Sequence, residues 1–226
     1  MTRIYLCKTD APPSAVLSDF LTDHIGKAKS GALYKSRLSA YSLLCFAVTD
    51  FLKLPENIKK CGACADFLDF ELSFGEKGKP YLSLNGERSP IEISISHTDE
   101  YSAVAVSDSV AVGVDIEAEI TKERADRLKD RYFFEPIEKS RGTLELLSTL
   151  DGGRVSVFAP VESAEEKNAD FTERWVCCEA LLKLDGGGFG SLPSLKDIVC
   201  GARVYCTTVS GGREKHSLAV AKSKEN

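Results

Sequence analysis

Apolar and polar positions alternate most cleanly over residues 91–117, IEISISHTDEYSAVAVSDSVAVGVDIE. Ile91, Ile93 and Ile95 alternate with Glu92, Ser94 and Ser96, the period of two that marks a half-buried strand. Tyr101–Val106 and Val110–Ile116 are β-branched or small and apolar, and Ser107, Asp108 and Ser109 supply turn residues between them. The stretch predicts three short strands joined by tight turns. Two helices stand out by a different period. Leu38, Tyr41, Leu44, Cys45, Val48, Phe51 and Leu52 recur at three and four, ahead of Pro55. Phe171–Lys183 carries a stripe of Val176, Cys177, Ala180, Leu181 and Leu184, with Thr172 as the expected N-cap and Gly186 as the stop.

Weaker patterns fill the rest. Arg3–Lys8 and Phe67–Phe74 read as strands, as do Tyr81–Leu84, Ala202–Val209 and Ser217–Ala221; residues 12–25 and 121–132 read as helices. Residues 142–170 lack a sustained period and are expected to form a loop-rich insertion, with one candidate strand in RVSVFAPV. His216–Ala221, HSLAVA, echoes Tyr101–Val106, YSAVAV, which suggests two related halves, 1–110 and 111–226.

Composition narrows the class of molecule. A chain of 226 residues that is 43% hydrophobic can bury a full core, as one large domain or two small ones. A net charge of −5, without a long charge run, argues against nucleic-acid binding by a basic surface. No apolar run approaches the roughly 18 residues of a membrane span, and the N-terminus, MTRIYLCKTDAPP, lacks an apolar signal core. Both point to a cytoplasmic protein whose eight cysteines are reduced thiols. Cys61 and Cys64 form a C-x-x-C, but Cys177/Cys178 and Cys200/Cys206 are poorly spaced to complete a zinc site.

The candidate chemistry sits at strand and helix ends. Asp115 and Glu117 share one face of their strand, with Cα atoms roughly 7 Å apart. Alone, such a pair is a polar strand end; with phosphate oxygens and water, it can also hold a hard divalent cation such as Mg²⁺. Ser96 and His97 end the first strand of the set. Glu179 and Lys183 lie four apart on one helix rim, the spacing of a surface ion pair. Arg37 sits in the early turns of its helix, among Lys27, Lys29 and Lys35, an arrangement that suits either a solvated basic face or a bound phosphate. Residues 75–80, GEKGKP, form a turn whose cation is Lys79.

Taken in order, GKP at 78–80, ISH at 95–97, GVDIE at 113–117 and W-x-x-x-E-A-x-x-K at 175–183 resemble the motifs of Sfp-type 4′-phosphopantetheinyl transferases. The FF-x-P-x-E of 133–138 and the glycine-rich run into Ser191, Leu192 and Pro193 fit as well, so the resemblance spans residues 33 to about 221. It implies an α+β fold, a pseudo-dimer of two similar α+β halves with the active site in the cleft between them. It implies a Mg²⁺-dependent transferase that moves 4′-phosphopantetheine from coenzyme A to a serine of an acyl or peptidyl carrier protein and releases adenosine 3′,5′-bisphosphate. Such an enzyme would serve fatty-acid, polyketide or nonribosomal-peptide biosynthesis.

Carried over, Asp115, Glu117 and Glu179 match the metal carboxylates. Arg37, Lys79, Pro80, Ser96, His97 and Lys183 match positions that line the coenzyme A nucleotide and its phosphates. Glu179, Lys183 and His97 are the implied catalytic residues, and residues 185–200 are implied to receive the carrier protein. With two similar halves in one chain, a monomer would suffice.

Two departures qualify the resemblance. Cys178 stands where the family has Lys, and about forty residues separate Phe134 from Trp175, a longer link than usual. Three rival readings follow: a non-catalytic coenzyme A or nucleotide binder of the same fold, another magnesium-dependent phosphotransferase or hydrolase, and an interaction domain in which every motif is structural. The chain has no P-loop and no G-x-G-x-x-G after a strand, which argues against nucleotide kinases and dehydrogenases.

Overall fold

The structure, a computed structural model, describes residues 1–13, 22, 25–28, 30–52, 70–84, 86–131, 137, 140, 144–148, 155–158, 171–210 and 212–224. The fold is α+β. Its elements run β1 (Thr2–Lys8), α1 (Gly31–Phe51), β2 (Phe70–Phe74), β3 (Pro80–Leu84), β4 (Glu87–Arg88), β5 (Glu92–His97), β6 (Tyr101–Ser107), β7 (Val112–Ala118) and α2 (Lys122–Arg131). They continue as β8 (Leu144–Ser148), β9 (Val155–Phe158), α3 (Phe171–Asp185), a 3₁₀ segment (Gly188–Ser194), α4 (Leu195–Cys200), β10 (Ala202–Val209) and β11 (His216–Ser223). Among the described residues the strands form three sheets, ordered β5-β6-β1-β8-β9, β10-β11-β7 and β2-β3-β4.

The alternation read along residues 91–117 sorts side chains into separate cores. On β6, Val104 and Val106 join Tyr5, Cys7 and the buried stripe of α1. Tyr101, Ala103 and Ala105 face the other way, onto Val112, Val114 and Ile116 of β7 and Leu218 and Val220 of β11. Beyond β11, Ala219 and Ala221 pack on Val176, Ala180 and Leu181 of α3. The order of layers is therefore helix, sheet, sheet, helix. Each fully buried Val, Leu or Ile contributes about 1.5–3 kcal/mol.

Connectivity repeats across the layers. In the first sheet β6 lies between β1 and β5, antiparallel to both; in the second β11 lies between β7 and β10, again antiparallel to both. The two echoing segments, YSAVAV and HSLAVA, are these two central strands. Their hairpin turns meet. The Glu100 carboxylate accepts from the Arg213 side chain (Nε, 2.6 Å) and from the backbone N–H groups of Arg213 (3.0 Å) and Glu214 (3.4 Å).

Three expectations change. The strand ending in Asp115 and Glu117 does not pair with β6; it crosses to the second sheet and pairs with β11. Period alone does not choose a strand's partner, and β7 finds on β11 a register that buries Val114 and Ile116 between the sheets. Thr172 is not an N-cap: it lies inside α3, and its hydroxyl accepts the backbone N–H of Ile120 (2.9 Å). The segment expected to be loop-rich contributes an unexpected strand, β8, which runs parallel to β1, beside the candidate strand in RVSVFAPV, which forms as β9. α1 is capped by Ser30, whose hydroxyl accepts from Leu33 N (3.2 Å).

Most of 12–25, Cys61 and Cys64, and FFEP at 133–136 lie outside the described residues. The six cysteines among the described residues are free thiols, all buried except Cys200. No helix is long and apolar enough to cross a membrane among the described residues.

Candidate functional site

Helix α3 is seated on β7 at Gly113. A Cβ there would lie 2.0 Å from the Ala180 carbonyl oxygen and 2.5 Å from the Leu184 amide nitrogen, so only glycine permits this approach. The contact brings the next residues of β7, Asp115 and Glu117, beside Glu179 and Lys183 of α3. Asp115 is 2% exposed, and its Oδ1 accepts from Ser96 Oγ (2.8 Å) and from Lys183 Nζ (2.6 Å). Its Oδ2 is buried without a hydrogen-bond partner. An unsatisfied buried acceptor costs about 1–3 kcal/mol, more for a charged one. Glu117 is held by Arg124 of α2 through two bonds, of 3.1 Å and 3.3 Å.

Glu179 feels this crowd of charge. Burial, and then the Asp115 charge, push its carboxyl up to about 7; Glu117 adds to the rise, while Lys183 and Arg124 oppose it. The imidazole of His97 is held below its ordinary range, first by burial and then by the cations of Lys183 and Arg37. Arg37, on α1, therefore acts on the same site from the first half of the chain.

A cavity of about 270 Å³ lies beside these groups, lined by Lys79, Pro80, Ser94, Ile95, Glu179 and Lys183 among others. Lys79 crosses from the 75–80 turn to donate to the Leu184 carbonyl at the end of α3 (2.7 Å), with Glu92 3.7 Å away. Burial lowers its pKa. The helix ends there because Gly186 adopts φ +80, and its missing Cβ leaves room for the Lys79 chain. His97 and Glu117 open instead onto an adjacent cavity of about 370 Å³, shared with Glu100, Arg213 and His216.

Of the sequence-derived residues, Ser96 and Lys183 bond to Asp115; Lys79, Pro80, Glu179 and Lys183 line one cavity and His97 and Glu117 the other, while Arg37 lines neither. Among the described residues, no group of three or more His, Cys, Asp and Glu side chains is arranged as it stands to hold a metal ion. The ammonium of Lys183 and the guanidinium of Arg124 hold Asp115 and Glu117 instead. The donor set nonetheless fits a hard divalent cation: all three groups are carboxylates, and Asp115 Oδ2 is a bare buried acceptor. Cys178, where the resembling family carries a cation, is wholly buried in the core between α3 and β11, and burial pushes its thiol up to about 12.

Sequence reasoning missed two participants. Arg124 lies seven residues beyond Glu117 on another element, a separation that no local period marks. Ser94 was legible as the second serine on the polar face of β5, but its use was not: its hydroxyl accepts the Val114 N–H (3.0 Å). A comparison of the chain with protein-family models found none that matches, and a comparison with curated proteins found no match either.

Proposed function

We propose that this chain is a magnesium-dependent transferase that moves 4′-phosphopantetheine from coenzyme A to a serine hydroxyl of a carrier protein. The observation that carries the reading is the meeting, around one buried aspartate, of groups drawn from distant parts of the chain. Asp115 is bonded to Ser96 and Lys183, and its charge reaches Glu179 and His97. The matching order of β5-β6-β1 and β10-β11-β7 supports the further reading of a pseudo-dimer of two α+β halves, roughly 1–110 and 111–226, with the site between them; β8 and β9 extend the first of these sheets.

In this reading Asp115, Glu117 and Glu179 would hold Mg²⁺, which when bound supplies charge neutralisation at the diphosphate. Lys183, beside Asp115, and His97 would donate N–H groups to the phosphate oxygens. Arg37 and Lys79 would serve the nucleotide end. The serine oxygen of the carrier protein attacks the β-phosphorus, and the bond from that phosphorus to the bridging oxygen of adenosine 3′,5′-bisphosphate breaks. The serine proton passes to the Glu179 carboxylate. The carrier protein approaches over residues 185–200, where Phe189 is 41% exposed at the rim of the Glu179 cavity.

A single assay tests this. Protein, Mg²⁺, coenzyme A and an apo carrier protein are mixed, and the carrier gains about 340 Da, the mass of the added group. A carrier of unchanged mass, across acyl and peptidyl types, overturns the reading. The buried Cys178 favours a second one, a coenzyme A or nucleotide binder without turnover, because the site lacks one cation of the resembling family. That alternative predicts binding of coenzyme A with no gain in carrier mass.

A further inference from the structure

The two sheets meet at β5 and β7, and serine hydroxyls close this seam. β7 spends one edge on β11. On its other edge, Val114 N–H donates to Ser94 Oγ (3.0 Å) and Ile116 N–H donates to Ser96 Oγ (3.3 Å). The two serines are two residues apart and so lie on one face of β5, as Val114 and Ile116 are two apart on β7. Both serines are buried, at 3% and 6% exposure. In their seam contacts they are near-equivalents.

They differ in where the hydroxyl hydrogen goes. Ser96 gives its only hydrogen to Asp115 Oδ1 at 2.8 Å, whereas Ser94 lies two residues further from the carboxylate. Lys183 donates to the same oxygen. Two donors on Oδ1 set the plane of the carboxylate and leave Oδ2, buried and bare, as its open coordinating position. Because Ser96 is itself pinned by the Ile116 N–H, the aspartate is aligned by the strand next to it and not by its own strand alone.

We infer that Ser96 is a positioning residue for the metal-holding Asp115, not a contact to the coenzyme A nucleotide, and that Ser94 performs the same seam role without that function. The inference rests on the reading of Asp115 as a magnesium ligand. Groups that orient a metal ligand typically change metal affinity by about 10–100-fold when removed.

The test is a Mg²⁺ titration of the full chain, followed by calorimetry and by the shift in melting temperature, without coenzyme A or carrier. Ser94→Ala and Ser96→Ala each leave one backbone N–H of β7 without its acceptor, so both are expected to melt lower by a similar amount. Ser96→Ala is also expected to bind Mg²⁺ about tenfold more weakly, with Ser94→Ala and Ser96→Thr within about twofold of the parent. Equal loss of affinity in Ser94→Ala and Ser96→Ala overturns the inference, because the seam alone would then explain it. Parental affinity in Ser96→Ala overturns it too, as does a Ser96→Thr variant as weak as Ser96→Ala. A parent chain that binds no Mg²⁺ overturns both this inference and the magnesium reading beneath it; the other failures leave that reading standing.

Discussion

Adding one methyl group at Gly113 tests whether the site depends on the seating of α3. The Gly113→Ala side chain would begin 2.0 Å from the Ala180 carbonyl oxygen and 2.5 Å from the Leu184 nitrogen, both backbone atoms that no rotamer change can move. Such contacts are essentially never below 3.0 Å, so helix and strand must part by about 1 Å. Overpacking of this kind costs about 1–3 kcal/mol. At about 2–4 °C per kcal/mol for a chain of this size, the melting temperature should fall by roughly 2–12 °C. The functional loss should be larger in proportion. Ala180 follows Glu179 directly, and a displacement of about 1 Å at a reacting group costs on the order of 10²-fold in rate. Thermal melting by circular dichroism and the rate of carrier modification read the two effects separately. Gly201→Ala is the control, since its nearest neighbours would stand at an ordinary 3.7 Å and 3.8 Å. A Gly113→Ala protein that melts and turns over like the parent would refute the argument that this glycine sets the distance between α3 and β7.

Three other outcomes are expected. Glu179→Gln should keep its melting profile while carrier modification slows by about 10²–10⁴-fold, and near-parental turnover would remove Glu179 from the role of proton acceptor. Cys178→Lys, which restores the residue of the resembling family, should lower the melting temperature, because position 178 is wholly buried; an active variant as stable as the parent would show that this face of α3 opens to the site. Glu100 is held below the ordinary glutamate value of 4.5, chiefly by the Arg213 side chain. Its contribution to stability is therefore present above 4.5 and lost as pH falls through the lower folded value. Melting followed against pH should show Glu100→Gln less stable than the parent at neutral pH, with a gap that closes in acid; a constant gap would contradict the assignment.

Much of the site was legible because its signals are local. The period of two in ISISH and GVDIE delivers Ser96, Asp115 and Glu117 to strand ends, and the three-and-four period of 171–184 delivers Glu179 and Lys183 to one rim. What joins them was not legible. β7 has an apolar face that either β6 or β11 could have paired beside, and the choice of β11 depends on a packed layer no window of sequence contains. Lys79 read as the cation of a turn, yet it serves the carbonyl end of a helix 105 residues away. Arg124 falls in a stretch read only as a helix, and its partner Glu117 belongs to another element. Long-range partners such as these follow from the assembled layers, while the residue types at each end follow from period and spacing.

The parallel pairing of β1 with β8 bears on how the molecule comes into being. Arg3 and Leu6 pair with Glu145 and Ser148, so β1 leaves the ribosome with one flank closed only by residues made much later. Until then that flank carries free backbone amides and carbonyls able to recruit a neighbouring strand. Large separation between partners slows folding. A nascent chain of this protein should therefore stay open to misjoining until β8 is made, and a fragment ending near residue 110 should associate with itself more than the full chain does.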